Sequence, residues 1–402
     1  MKRATAFPSR KTGPLACVLG DMDLVRPLGL AGIRCAVVAS ERSWLAHSRY
    51  TERILPFNAE HGSEEELIET LERFGMGQAQ QPVLYFEEDA HLLMVSRHRD
   101  RLAAAFRFAL PDAGFIEQLV DKARFQAMAE ELALPVPRAR RLHPTPDSGA
   151  PELDLQYPLV IKPLTRRESW GAIERSGGKA IRVDRPADLH VLWPSLWPSG
   201  IDLLAQELIP GPETRIESYH VYVDGQGQVA GEFTGRKIRT YPADYGYSTA
   251  LTVTDSRGEA ADVVSLGRDV AARIGLRGVA KFDFKRASDG SLLLLEINPR
   301  FNLWHHLGAV AGVNLPALVY ADLTGRARPR PAVARPGPCW CRIDKDRLAA
   351  REAGISTLSW VAWVARCEAK PIAWDDPMPF LKPKLARLLR VLPLIGRSPR
   401  TA

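Results

Sequence analysis

The sequence predicts an α/β region followed by a strand-rich α+β region, and three observations carry that prediction. Between residues 15 and 86 short apolar strands alternate with helical patterns, the arrangement that builds a parallel sheet covered by helices. From residue 157 onward the apolar runs are mostly short strands separated by turns, with few helices between them. The chain has 402 residues, roughly two to three times an ordinary domain, so more than one core is expected.

Leu15-Ala16-Cys17-Val18-Leu19 reads as the first strand, Gly20-Asp21 as a turn, and a short helix then runs to Leu30 before a strand at 35–39. A charged amphipathic pattern at 63–74 precedes the strand Val83-Leu84-Tyr85-Phe86. These strands end on acids: Asp21 and Asp23 after the first, Glu87, Glu88 and Asp89 after the last. Ligands of open parallel sheets bind beyond the carboxyl ends of the strands, so the acids are candidates to line a substrate crevice, with helix capping as the competing use of the aspartates. A helical pattern at 121–133 stops before Pro135-Val136-Pro137, which puts the first boundary near 120. Strands then read at 157–162, 179–183, 203–208, 218–223, 229–234, 250–254, 279–284 and 292–297, with helices near 187–193, 259–274 and 305–323. The Arg- and Pro-rich stretch 326–338 reads as a linker. Three units result: 1–120, 121–325, and a basic linker with its appendage at 326–402.

Hydrophobic residues make up 46% and charged residues 25%, which excludes a disordered chain, a collagen and a coiled coil. The formal net charge of +7 is uneven, with residues 326–402 at +10 and the rest at −3. A nucleic-acid protein carries its positive stripe on its main fold, so no nucleic-acid partner is expected. The imbalance points to a basic C-terminal module facing an anionic partner or surface, with plainly solvated charge as the alternative. Five scattered cysteines form no disulfide framework and no zinc pattern, which points to the reducing cytoplasm. The apolar run at 15–19 is too short for the core of a signal peptide, and no run reaches the ~18 apolar residues of a membrane span.

The most informative pattern surrounds Asp289-Gly290. An Asp-Gly pair between apolar runs is a strong hairpin signal, because a type I′ turn needs positive φ at both central residues. With 289 and 290 as those residues, Asp283 stands opposite Glu296 and Lys281 opposite Asn298. Alternation then puts these four on one face and Phe282, Phe284, Leu295 and Ile297 on the other. Two carboxylates directly opposite each other repel unless a cation sits between them. Two carboxylates and an amide oxygen suit Mg²⁺, which takes a few protein oxygens together with phosphates and water. A hairpin whose charges are merely solvated is the plainer alternative.

Lys281-x-Asp283, followed by Leu292-Leu293-Leu294-Leu295-Glu296-Ile297-Asn298-Pro299-Arg300, resembles the metal-binding signature of the ATP-grasp superfamily, the fold of D-alanine ligases, biotin carboxylases and other carboxylate-amine ligases. The resemblance covers about residues 15–325 and implies an ATP-grasp fold preceded by a parallel α/β domain. It implies Asp283, Glu296 and Asn298 as ligands of Mg²⁺ or Mn²⁺, with Lys281 and Arg300 facing the transferring phosphate of ATP. Pro158-Leu159-Val160-Ile161-Lys162-Pro163 is similar to the family strand whose lysine, here Lys162, touches adenine and phosphate. Leu119-Val120-Asp121-Lys122 is similar to the helix start that carries the second nucleotide lysine, here Lys122. Ala205-Gln206-Glu207-Leu208-Ile209-Pro210-Gly211-Pro212-Glu213 resembles the interdomain hinge. There the side chain of Gln206 or Glu207 and the backbone of Glu207 and Ile209 would read the adenine edge, and Glu213 would hold the ribose hydroxyls. Residues 165–178 stand where a phosphate-covering loop is expected, while no Gly-Lys-Ser/Thr follows P-loop spacing.

Arg236, Lys237 and Arg239 are candidates to meet a carboxylate substrate or a phosphate, with a solvated strand edge as the alternative. Tyr245-Gly246-Tyr247 reads as a flexible wall over the acceptor, and His305 and His306 as core or capping residues. Leu381, Leu385, Leu388 and Leu392 recur among Lys382, Lys384, Arg387 and Arg390, so 384–392 is expected to form a basic amphipathic helix that packs on the core or lies on an anionic membrane. The implied function is ATP- and Mg²⁺-dependent ligation of a small carboxylate to an amine through an acyl phosphate, with the oligomeric state open and a dimer among the options. The alternatives are a small-molecule kinase on the same fold, and a non-catalytic ATP-binding module with a docking tail.

Overall fold

Residues 16–86 form a parallel sheet of β1 (Ala16–Leu19), β2 (Cys35–Ala39), β3 (Thr51–Pro56) and β4 (Val83–Phe86), in the order β3-β2-β1-β4. The structure is a computed structural model and describes residues 13–164, 170 and 179–384. Ser63 and Glu66 close a capping box at the start of helix Glu64–Met76, which fixes where the 3.6-residue apolar pattern begins. β3 has no counterpart among the expected strands. It is an edge strand with only Leu55 buried, so it lacks the continuous apolar run that marks an inner parallel strand.

Two antiparallel sheets follow. β5 (Ala139–Leu142), β6 (Leu159–Pro163), β7 (Ile181–Val183) and β8 (Leu203–Glu207) make the smaller, in the order β5-β8-β6-β7. β9 (Ile216–Val223), β10 (Val229–Tyr241), β11 (Tyr247–Val253), β12 (Gly278–Arg286), β13 (Leu292–Asn298) and β14 (Cys339–Cys341) make the larger, in the order β13-β12-β9-β10-β11-β14. Phe282, Phe284, Leu294 and Ile297 pack one face of the large sheet on Val263 and Val270 of helix Ala261–Arg273. The other face, with Phe233 and Leu251, meets Trp304 and Leu307, and the same apolar cluster runs on to Val18 and Val37 of the parallel sheet.

The single helix expected at 305–323 is two helices, Trp304–Ala311 and Leu315–Thr324. Gly312 separates them at φ +108°, a conformation glycine adopts without a Cβ penalty. The segment beyond 338, expected as an appendage, completes the large sheet. β14 pairs with β11, and Trp340 forms a further bridge to Ala369. The phosphate-covering loop lies outside the described residues except Trp170, and the basic helix at 384–392 lies outside them except Lys384. No single helix among the described residues is long and apolar enough to cross a membrane.

Candidate active site

β12 and β13 pair with Lys281 opposite Asn298 and Asp283 opposite Glu296, as the spacing predicts, but they arrive there differently. Nearer the turn the register is one step off, with Phe284 opposite Leu294, and Ala287 N–H donates to the Ser291 carbonyl at 2.8 Å. The loop is therefore Ser288, Asp289 and Gly290, in which only Gly290 has positive φ (+88°), so the expected type I′ turn is replaced by a three-residue one. A bulge at Leu295 restores the register before the acids are reached. Leu294, not Leu295, consequently fills the core position beside Phe284.

Buried Asp283 accepts from Ser218 Oγ through Oδ1 at 2.5 Å, and its Oδ2 lies 2.5 Å from Lys281 Nζ. Lys281 Nζ is 4.0 Å from Glu296 Oε1, to which Asn298 Nδ2 donates at 3.1 Å. Ser218 was not legible as a site residue. It stands opposite Asp283 on β9, 65 residues earlier, and only strand pairing reveals it.

The small sheet supplies the facing cations. Lys162 on β6 donates from Nζ to Gln206 Oε1 on β8 at 2.8 Å. Enclosure pulls its pKa down to about 8, neighbouring Lys122 pushes the same way, and the Glu296 charge opposes. Lys122 opens helix Lys122–Glu131 and donates to the Leu164 carbonyl at 2.9 Å. Of the two hinge candidates, Gln206 turns toward Lys162. Glu207 turns the other way, where its Oε1 accepts from Gln156 N–H at 2.9 Å and lies 3.5 Å from Arg138. Ile209 is buried beside them.

Glu213 sits between Lys237 Nζ at 3.4 Å and Lys285 Nζ at 3.7 Å, on the wall of a cleft of ≈ 290 Å³ shared with Pro158, Leu208 and Tyr245. Lys285 is a further residue that sequence reading missed. Burial pulls its pKa down while Glu213 holds it up. Tyr245 thus belongs to the hinge cleft. Of the three cations expected at a substrate, only Lys237 points toward this region. Arg239 donates to both oxygens of buried Asp346 at 2.8 and 2.7 Å and stacks over Trp363 at 4.1 Å, while exposed Arg236 faces Glu259 at 3.5 Å. Irregularities on either side of Arg239 break the alternation assumed from the sequence.

Arg300, expected to face a phosphate, is engaged here with the first region. Its Nε pairs with Asp89, Nη1 donates to the Glu87 carbonyl at 2.8 Å, and Nη2 reaches Asn298 Oδ1 at 3.3 Å. The acids beyond β1 and β4 do converge here. Glu87 Oε2 accepts from Asp21 N–H at 2.9 Å, and burial together with the Asp23 charge pushes the Glu87 carboxyl up to about 8. His305 and His306 are interior residues of their helix, and burial first, then the Arg300 charge, pulls His305 down to about 3.

The donor set fits a divalent cation. Two carboxylates and one amide share a face, and the charge between the acids is at present balanced by the Lys281 ammonium. Among the described residues no three His, Cys, Asp or Glu side chains gather into a metal cage. Mg²⁺ needs none, since it completes its shell with water and phosphates.

A family described as "ATP-grasp in the biosynthetic pathway with Ter operon" matches residues 248–338. The chain is 23% identical over 240 residues to a D-aspartate ligase of Enterococcus faecium, covering 58% of this chain and 56% of that protein. It is 28% identical over 217 residues to a D-alanine–D-alanine ligase of Stutzerimonas stutzeri, covering 51% and 64%. The chain therefore spans less than two thirds of the length of these curated relatives. Among solved structures, an L-amino acid ligase from Bacillus licheniformis superposes with a TM-score of 0.58 at 17% identity, over 78% of this chain and 74% of that one. A biotin carboxylase from Campylobacter jejuni superposes with a TM-score of 0.60 at 14% identity, over 81% and 74%.

Proposed function

We propose that this chain, which has the ATP-grasp fold, is an ATP- and Mg²⁺-dependent ligase that joins a small carboxylate to an amine. The observation that carries the reading is the pairing of Asp283 with Glu296 and of Lys281 with Asn298 on one rigid hairpin. Asp283, Glu296 and Asn298 would hold Mg²⁺, which neutralises phosphate charge when bound. Lys162 and Lys122 would bind the nucleotide phosphates, Gln206 and the hinge backbone from Glu207 to Ile209 the adenine edge, and Glu213 the ribose. Lys281 would meet the charge that develops on the transferring phosphoryl group, where fixed electrostatic stabilisation matters most. Arg300 would hold Asn298 in place against the first region, and Lys237 lies nearest to where a substrate anion could enter.

In the proposed reaction a carboxylate oxygen attacks the γ-phosphorus, the bond to the bridging oxygen breaks, and ADP leaves. The amine nitrogen then attacks the acyl carbon of the mixed anhydride, phosphate departs, and the nitrogen loses its proton to solvent. ADP release with Mg²⁺, pooled amino acids and hydroxylamine tests this, because hydroxylamine intercepts an acyl phosphate as a hydroxamate. The expected result is hydroxamate formed in step with ADP, and turnover lowered at least about a hundredfold in Glu296→Gln. A phosphate ester without hydroxamate would favour a kinase, and wild-type turnover in Glu296→Gln would remove the metal assignment.

A further inference from the structure

We infer that the strap at 370–384 is a docking surface for an anionic lipid membrane, presented by Trp374, Met378 and Leu381. The strap is pinned over its first half, residues 370–376. Buried Arg26 donates to the carbonyls of Lys370 at 2.7 Å and Pro371 at 2.9 Å. Buried Asp376 accepts from Ser48 Oγ at 2.7 Å and Arg49 N–H at 2.9 Å, and Tyr50 Oη donates to Asp375 at 2.5 Å. Between these anchors Ala373 is buried, yet Trp374 is turned outward with 91% of its surface exposed. A loop held this firmly does not expose an indole through laxity. Met378 and Leu381 follow three residues apart in one helical turn, 47% and 48% exposed, with exposed Lys382 and Lys384 next to Leu381 in sequence.

Charge selects the occupant. From Pro377 onward the sequence carries six basic and no acidic side chains. Of the strap's own acids, Asp376 is buried with its Oδ2 3.8 Å from Arg26 Nε, and Asp375 sits at the Tyr50 hydroxyl beside the Arg49 guanidinium, which donates to the Asp375 carbonyl at 3.1 Å. Among the described residues the patch is apolar at Trp374, Met378 and Leu381, with the exposed Lys382 and Lys384 at its margin. A second copy of the chain would bring the same positive margin and repel it. An anionic bilayer accepts both parts, with tryptophan favoured at the headgroup level and cations attracted to the surface charge. Leu385, Leu388 and Leu392 continue in sequence the three- and four-residue spacing begun by Met378 and Leu381.

The test is flotation of the full chain with vesicles of equal parts phosphatidylglycerol and phosphatidylcholine, against phosphatidylcholine alone. The protein is expected to float with the anionic vesicles at low salt, to be released by high salt, and to ignore the neutral ones. Trp374→Ala and the pair Lys382→Glu with Lys384→Glu should each lower the partition constant at least about tenfold, leaving the thermal midpoint and ADP release unchanged. Absence of flotation by the full chain, or equal flotation of both variants, overturns the inference. So does a dimer that Trp374→Ala dissolves while vesicles are not bound, which would assign the patch to a second copy.

Discussion

Lys162 is the side chain whose charge the cleft controls most directly. Its pKa lies at about 8, below the ordinary 10.5, so it loses its proton within the working range of many enzymes. A phosphate contact needs the ammonium, so ATP affinity should fall as pH rises from 7 to 9, most steeply near 8. Calorimetric titration of ATP over this range should show the inflection in the wild type and its loss, with weaker binding, in Lys162→Ala; an unchanged inflection would remove the role. Glu87 works in the opposite sense. Its carboxyl is held up at about 8 against an ordinary 4.5, so between these values the unfolded chain is ionised while the folded one keeps its proton. Folding stability drains away as pH rises through that window and is lowest above it. Glu87→Gln should therefore raise the thermal midpoint more at pH 8 than at pH 5, and an equal gain at both would contradict the shift.

The β12–β13 hairpin shows why sequence reading reached the right pairing by a wrong turn. Register depends only on the total count of residues between paired positions, and a three-residue loop plus one bulged leucine equals the regular two-residue loop in that count. Asp283 and Glu296 were legible because the sum was right. Leu295 was misplaced because a bulge leaves no mark in an all-leucine run. β10 shows the reverse, since there irregularities around Arg239 changed which partner the side chain meets. Arg239 and fully buried Asp346 tie β10 to the helix Ile343–Glu352, with Thr249 Oγ and Trp360 Nε1 as further donors to the same carboxylate. Asp346→Ala strands a mostly buried guanidinium and should cost about 3–5 kcal/mol in denaturant unfolding. Pairing Arg239→Met with Asp346→Leu should recover much of that loss at near-normal KM, whereas a substrate contact at Arg239 would leave KM raised in the stable double variant.

Across the whole molecule, one apolar cluster joins the parallel sheet to the large antiparallel sheet, and the C-terminal strand and strap close over both. Removing residues from Pro338 onward should therefore abolish cooperative unfolding, because it bares the β11 edge and leaves buried Arg26 and the Arg239 guanidinium without their acceptors. A sharp melting transition in that truncation, followed by circular dichroism, would show the segment to be dispensable. The sequence by itself determined the α/β then α+β order and the hairpin with its four polar residues, because each rests on local periodicity or on a count along the chain, whereas the lysine strand and the hinge were legible only as a resemblance to a known family. Only the tertiary structure decided that Ser218 bonds Asp283 and that Lys285 lies beside Glu213, that Arg300 holds the first region, that Arg239 serves Asp346, and that the basic C-terminal segment is partly sheet. Those outcomes depend on which distant strands lie side by side and on which acid is buried next to each cation, and neither is written in the spacing of neighbouring residues.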